Sequence, residues 1–344
     1  MRYFLGFLAV FAVLFFAAPA GARVAATGVP VVQDDLTAAE EKEEITDTPI
    51  SYDMPFYAKE DAVVMGKVKT HITGEEDTLM DIARAYGLGY VALRAANPGV
   101  DAWAPLPGSE MRIPAMRLLP RAPQEGIVIN LGEMRLFYFA GDGSVESFPI
   151  GIGREGLQTP TGATKIVKKL VKPSWYPTDR MREEKPGLPE RVRSGPSNPL
   201  GDYALYLGWP TFLIHGTNKP WGIGRRVSSG CIRMYPEDIK LLYARTALDM
   251  KVTVVDQPVK LAFLEDGLYM QAHPTRRQSD ALESDGIIPA ELADKEIPAE
   301  LKTFIEKIIT QHGGYEKESP DWDKVLEVLK ARSGIPAKIL GGQT

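Results

Sequence analysis

Hydrophobic and polar positions along this chain change their period twice, and each change marks a new part. Residues 4–16 are apolar without a single charge. From Lys67 to Ile72 a short run suits a strand, and Asp77 stands where a helix cap is expected. The helix it predicts covers Thr78 to Tyr86, with Leu79, Ile82, Ala83 and Tyr86 on one face at i, i+3, i+4 and i+7. Gly87 and Gly89 stop it, and a second helix, Tyr90 to Ala96, ends before Asn97-Pro98-Gly99. Pro107-Gly108 then turns into a strand, Met111 to Ile113, so this unit reads strand–helix–helix–strand.

After residue 126 the period becomes two. Ile127-Val128-Ile129, Arg135 to Phe139 and Val145 to Ile150 read as strands, the last two joined through Gly141-Asp142-Gly143. Lys165 to Val171, Ala204 to Leu207, Phe212 to Ile214 and Val252 to Val255 continue the pattern, interrupted by one helix, Pro236 to Thr246. Many short strands with turn signals predict a mostly β domain. Six prolines with Trp175 and Tyr176 fill residues 172–200, which predicts a structured loop over one face because strands resume beyond it. Further on, Ile288-Pro-Ala-Glu-Leu292 recurs as Ile297-Pro-Ala-Glu-Leu301, and Ser319-Pro320 opens a helix striped by Trp322, Val325, Leu326 and Leu329.

Charge sharpens this division. Residues 34–61 hold ten acids against two bases, residues 121–260 twenty bases against fourteen acids, and residues 280–344 thirteen acids against eight bases. A basic body between acidic extensions suits an anionic ligand. Nucleic acid is disfavoured, since no Lys/Arg run exceeds two residues and no aromatic-basic stripe appears. Arg2, the apolar run and the small residues Ala18-Pro19-Ala20-Gly21-Ala22 read as a secretory leader over residues 1–22. The run is short for a membrane span, so no stable insertion is expected once the leader is removed. Residues 23–61 read as an acidic disordered linker. In an exported chain cysteines normally come in pairs, yet Cys231 is alone. Such a thiol is either catalytic or buried as a small hydrophobe.

Two apparent motifs fail. Gly151-Ile-Gly-Arg-Glu-Gly156 has phosphate-cradle spacing, but Thr159-Pro160-Thr161-Gly162 follows where a helix is required. His71, His215, His273 and His312 are too scattered for a metal site. A third string carries chemistry: Ile214-His215-Gly216-Thr217-Asn218, then Val227-Ser228-Ser229-Gly230-Cys231-Ile232-Arg233-Met234. A neighbouring imidazole converts a thiol into the nucleophilic thiolate. His215 ends an apolar strand, and Cys231, sixteen residues later, is expected just ahead of a helix. Gly230 leaves room for a carbonyl, and amides around Cys231 can face a developing oxyanion. Arg233 either meets a substrate carboxylate or pairs with Glu237 or Asp238, while Arg225 and Arg226 are expected on a solvated face.

Two resemblances extend this reading. Glu76-Asp77-Thr78-Leu79, Ile82-Ala83, Leu93, Ala96-Asn97-Pro98 and Pro107-Gly108 ahead of Arg112-Ile113-Pro114 resemble a LysM module, which implies a peptidoglycan-binding domain over residues 62–118. The His215-to-Cys231 string, with Thr159-Pro160-Thr161-Gly162 and Asn198-Pro199-Leu200-Gly201, resembles the L,D-transpeptidase family. That resemblance implies a β-sandwich catalytic domain over residues 121–260, between the small βααβ LysM domain and a partly helical C-terminal extension, residues 261–344. It further implies Cys231 as nucleophile, His215 as base, the Gly216 carbonyl holding the imidazole, and Ser228, Ser229, Gly230 and Arg233 around the substrate. Its reaction is acyl transfer without metal or organic cofactor. The diaminopimelate–D-alanine bond of a stem tetrapeptide is broken, and the acyl group passes to another stem peptide, an envelope protein or water. The expected partners are therefore peptidoglycan glycan strands and stem peptides, in the periplasm. Ser229 departs from the pattern, where many members have histidine, which keeps an inactive wall-binding protein open. A γ-D-glutamyl-diaminopimelate cysteine endopeptidase is the other alternative, although that family places cysteine before histidine.

Overall fold

The structure, a computed structural model, describes residues 63–312, 314–315 and 318–341. The expected leader and acidic linker lie outside the described residues, which all belong to one unit, Asp47–Thr344. The first elements are β1 (Val64–Met65), β2 (Lys69–Ile72), α1 (Leu79–Ala85), α2 (Tyr90–Ala96) and β3 (Glu110–Ile113). Strands β2 and β3 pair antiparallel, and Leu79, Ile82, Val91 and Leu93 are buried with Met111 and Ile113. Thr78, not Asp77, caps α1, its side chain accepting from the Asp81 amide. The Asp77 carboxylate is committed elsewhere, to the Gly74 amide at 2.7 Å and His71 Nε2 at 2.9 Å.

Strand β4 (Arg117–Leu118) pairs with β1. The central body follows: β5 (Gly126–Asn130), β6 (Arg135–Phe139), β7 (Val145–Gly153), β8 (Gly162–Val171), a short α3 (Asp179–Glu184) and β9 (Tyr203–Leu207). It continues with β10 (Leu213–His215), β11 (Arg226–Ser228), β12 (Ile232–Met234), α4 (Pro236–Arg245) and β13 (Lys251–Val255). The strand order is β11-β7-β12-β10-β9-β8-β13-β5-β6, and β6 also pairs with β7. The strands from β7 to β6 therefore form a closed circuit, a barrel in place of the expected sandwich of two sheets. Nine-residue β7 makes closure possible, engaging β6 through Val145–Pro149 and β12 through Ile150 and Gly151. Ile127, Ile129, Leu136, Ile166, Leu205, Ile214 and Val252 fill the core. The proline-rich loop is ordered: Trp175 bridges to Val192, and the buried Asn198 amide donates to the carbonyls of Pro173, Val192 and Arg193.

The C-terminal part contains more than helices. Strands β14 (Val259–Leu264) and β15 (Gly267–Ala272), helices α5 (Arg276–Asp285), α6 (Ala299–His312) and α7 (Trp322–Ala331), and β16 (Ala337–Leu340) complete the chain. The three strands form an antiparallel sheet whose Leu268 and Met270 pack with Leu301, Ile305, Val325 and Leu329 in a separate core. Asp321 caps α7, accepting from the Lys324 amide, so the helix starts beyond Ser319-Pro320. Strand β14 runs across residue 260, the expected boundary of the catalytic domain, and its Lys260 donates to Glu133 Oε1 at 2.7 Å and the Leu118 carbonyl at 2.6 Å. No helix among the described residues is long and apolar enough to cross a membrane.

Candidate active site

Parallel pairing of β10 with β12 sets the strand that ends in His215 beside the strand that Cys231 immediately precedes. Ile214 lies opposite Ile232, and His215 opposite Arg233. Side chains alternate along a strand, and both isoleucines are buried in the core. His215, Cys231 and Arg233 therefore fall on the other face. Cys231 precedes a strand, not a helix as expected; α4 starts only at Pro236. The difference is decisive for geometry, since neighbouring strands lie only about 4.8 Å apart.

The His215 ring is buried, with Nδ1 2.6 Å from the Gly216 carbonyl oxygen. Desolvation pushes its pKa down to about 4, aided by the Arg233 charge and opposed by the Gly216 and Leu200 carbonyls. Burial pushes the Cys231 thiol up, while the Leu213 amide and the Arg233 charge pull it down. Burial thus favours the neutral form of both the Cys231 thiol and the His215 imidazole. Cys231 Sγ donates to the Thr211 carbonyl at 3.4 Å. Thr211 has φ +68°, a left-handed conformation that is costly for a β-branched residue. Nothing in the sequence pattern marked Thr211 as a neighbour of the thiol.

Ser228 ties the turn that carries the cysteine. Its buried hydroxyl donates to the Cys231 carbonyl at 2.5 Å and accepts from the Gly230 amide at 3.2 Å. Gly230 has φ +102°, and an added Cβ would stand 3.0 Å from the Phe212 ring. Its carbonyl accepts from the Thr159 hydroxyl at 2.7 Å, which links the Thr-Pro-Thr-Gly turn to the site. Ser229 is half-buried. Among the described residues no carboxylate is within ion-pair distance of Arg233: Glu237 is held by Arg84 at 2.8 Å instead. Burial lowers the Arg233 pKa and the neighbouring Cys231 raises it.

Other expectations change or gain a packing explanation. Arg225 and Arg226 are not solvated. Arg225 pairs with Glu283 at 2.9 Å and Arg226 with Asp280 at 2.5 Å, both partners on α5. The sequence could not reveal pairs more than fifty residues apart. Gly151 and Gly153 lie on β7, where a Cβ would meet the Gly222 carbonyl at 2.6 Å and the Leu157 carbonyl at 2.0 Å. Close backbone packing accounts for these glycines without a phosphate.

The L,D-transpeptidase catalytic domain, YkuD, matches residues 124–254. "Probable L,D-transpeptidase ErfK/SrfK" of Salmonella typhimurium is 38% identical over 304 residues, covering 86% of this chain and 92% of that protein. The chain belongs to the L,D-transpeptidase family. "Probable L,D-transpeptidase YbiS" of Escherichia coli is 36% identical, with 86% of this chain and 93% of the relative covered. "Probable L,D-transpeptidase YcfS" of the same organism is 42% identical over 214 residues, covering 59% and 67% respectively. The matched catalytic domain of this L,D-transpeptidase starts just before β5 and ends in β13, the span of the closed strand circuit.

Proposed function

We propose that this L,D-transpeptidase acts on peptidoglycan stem peptides, with Cys231 as nucleophile and His215 as its base. The observation that carries the reading is the commitment of His215 Nδ1 to the Gly216 carbonyl on a strand next to Cys231. A donor at Nδ1 leaves Nε2 as the basic nitrogen, and a pKa of about 4 keeps it free of a proton at neutral pH. Rotation of the thiol away from the Thr211 carbonyl presents it to the ring, which takes the proton as sulfur attacks. The carbonyl attacked joins diaminopimelate to the terminal D-alanine of a tetrapeptide stem. The Gly230 amide is engaged by Ser228, so the Cys231 amide is assigned the developing oxyanion. Protonated His215 returns its proton to the departing D-alanine amine, leaving a thioester on Cys231. An amine of a second stem or of an envelope protein, or water, then releases the acyl group and restores the thiol. Arg233, a half-buried guanidinium with no carboxylate in ion-pair distance among the described residues, would meet a carboxylate of the acidic stem peptide. Ser228, Ser229 and Gly230 shape the approach to the thiol.

The other parts fit the same substrate. The βααβ order of residues 62–118 supports a LysM role, holding glycan strands near the site and raising the local stem concentration. Residues 1–22 would direct export to the periplasm, residues 23–61 would act as an acidic tether, and residues 261–344 form the extension. The test is covalent. A carbapenem, an inhibitor of this family, should add once to wild-type protein by intact mass and not to Cys231→Ala. Absence of an adduct in wild type after long incubation would favour the inactive binder that Ser229 keeps open.

A further inference from the structure

The segment that delivers Cys231 is held from outside the catalytic circuit on two sides. Helix α2 begins at Tyr90 without a side-chain cap, so its first amides need other acceptors. They find them in the catalytic segment: the Tyr90 amide donates to the Ile223 carbonyl at 3.3 Å, and the Val91 amide to the Gly224 carbonyl at 3.2 Å. The approach is too close for side chains, since a Cβ on Gly224 would lie 2.2 Å from Gly89 Cα. The Arg225 guanidinium then lies 3.8 Å from the Tyr90 ring centroid while bonding Glu283 on α5. Arg226 grips α5 twice, through Asp280 and the Arg276 carbonyl at 3.0 Å. Two residues later Ser228 clips the turn to Cys231.

We propose that α2 and α5 form a clamp on residues 223–228, and that Arg225 and Arg226 are positioning residues for the Cys231 turn. The proposal rests on Cys231 being the nucleophile. The clamp acts through the backbone: residues 223–226 are fixed by the βααβ unit and the C-terminal part, and the clipped turn transmits their position to the Cys231 amide. Acylation requires that amide at the oxyanion, whereas simple alkylation of sulfur does not. An active-site displacement of about 1 Å can cost on the order of a hundredfold in rate. The βααβ unit is thereby more than a tether for wall glycan, because it is a structural part of the reacting site.

The test uses full-length wild type, Arg225→Ala, Arg225→Lys, Glu283→Gln and the Arg225→Ala/Glu283→Gln double variant. Two rates on Cys231 are followed by intact mass: acylation by a carbapenem and alkylation by iodoacetamide. In Arg225→Ala, acylation should slow about tenfold or more while alkylation stays within about twofold. Arg225→Lys should fall between, because lysine keeps the charge but loses the planar stack. The double variant should be no slower than Arg225→Ala, since both changes break one link. Should Arg225→Ala not fold, Glu283→Gln carries the test with an expected loss of about threefold in acylation alone. Equal acylation in all variants, or a parallel change of both rates, overturns the clamp. If wild-type protein itself forms no carbapenem adduct, the nucleophile assignment fails instead, so the two failures are distinct.

Discussion

Acidification should expose the burial of a neutral His215 as a measurable loss of stability, and replacing His215 with Gln should remove that component. The folded ring has a pKa of about 4 against 6.5 when unfolded. Between those values the unfolded chain holds a proton that the folded chain does not, so stability falls as pH falls. The loss starts near pH 6.5 and is complete near pH 4. Each unit is worth about 1.4 kcal/mol, so going from pH 7 to pH 4.5 removes on the order of 2–3 kcal/mol through His215 alone. Urea denaturation at both pH values, for wild type and His215→Gln, isolates it: carboxylates and His273 change both proteins alike and cancel in the comparison. The variant should lose on the order of 2–3 kcal/mol less than wild type over that interval. Parallel losses would refute a neutral buried ring, and with it the free nitrogen that the base needs.

Two further substitutions probe the framework. Gly224→Ala should destabilise the protein by about 3 kcal/mol or more, because φ is +74° and the added carbon meets the Gly89 backbone; an unchanged melting temperature would contradict that packing. Lys260→Met should cost about 3–5 kcal/mol by leaving the Glu133 carboxylate buried without its cation. Denaturation at neutral pH checks it, and a neutral outcome would mean that Glu133 finds other compensation.

Elements set by local pattern were legible in the chain. Helix α2 and strand β6 have the bounds that periodicity predicts, and the other eight predicted strands differ by one to three residues, while β1, β4, β11, β12 and the C-terminal strands were not predicted. Errors arose where a distant partner decided the outcome. Asp77 looked like a cap until His71 and Gly74 claimed its carboxylate. Arg225 and Arg226 looked solvated because α5, their partner, follows fifty residues later. Barrel closure depends on β7 pairing with both β6 and β12, which period-two alternation does not encode. The C-terminal sheet was hidden for a related reason: β16 joins β15 across three intervening helices. At the site, the His215 and Cys231 types and spacing were readable, but the parallel β10–β12 pair that puts Arg233 opposite His215 was not. Nor was the Thr211 carbonyl, which reaches the thiol only through a left-handed turn.

Release of D-alanine from a diaminopimelate-containing tetrapeptide fragment tests the central claim most directly, with Cys231→Ala as the control. The account predicts free D-alanine from wild type, none above background from the variant, and a transient acyl adduct on Cys231 by mass. A diaminopimelyl-D-alanine dipeptide would instead indicate cleavage one bond earlier, by a γ-glutamyl endopeptidase. D-alanine at the control level after long incubation, with no adduct on Cys231, would contradict the assignment of this chain as a working L,D-transpeptidase.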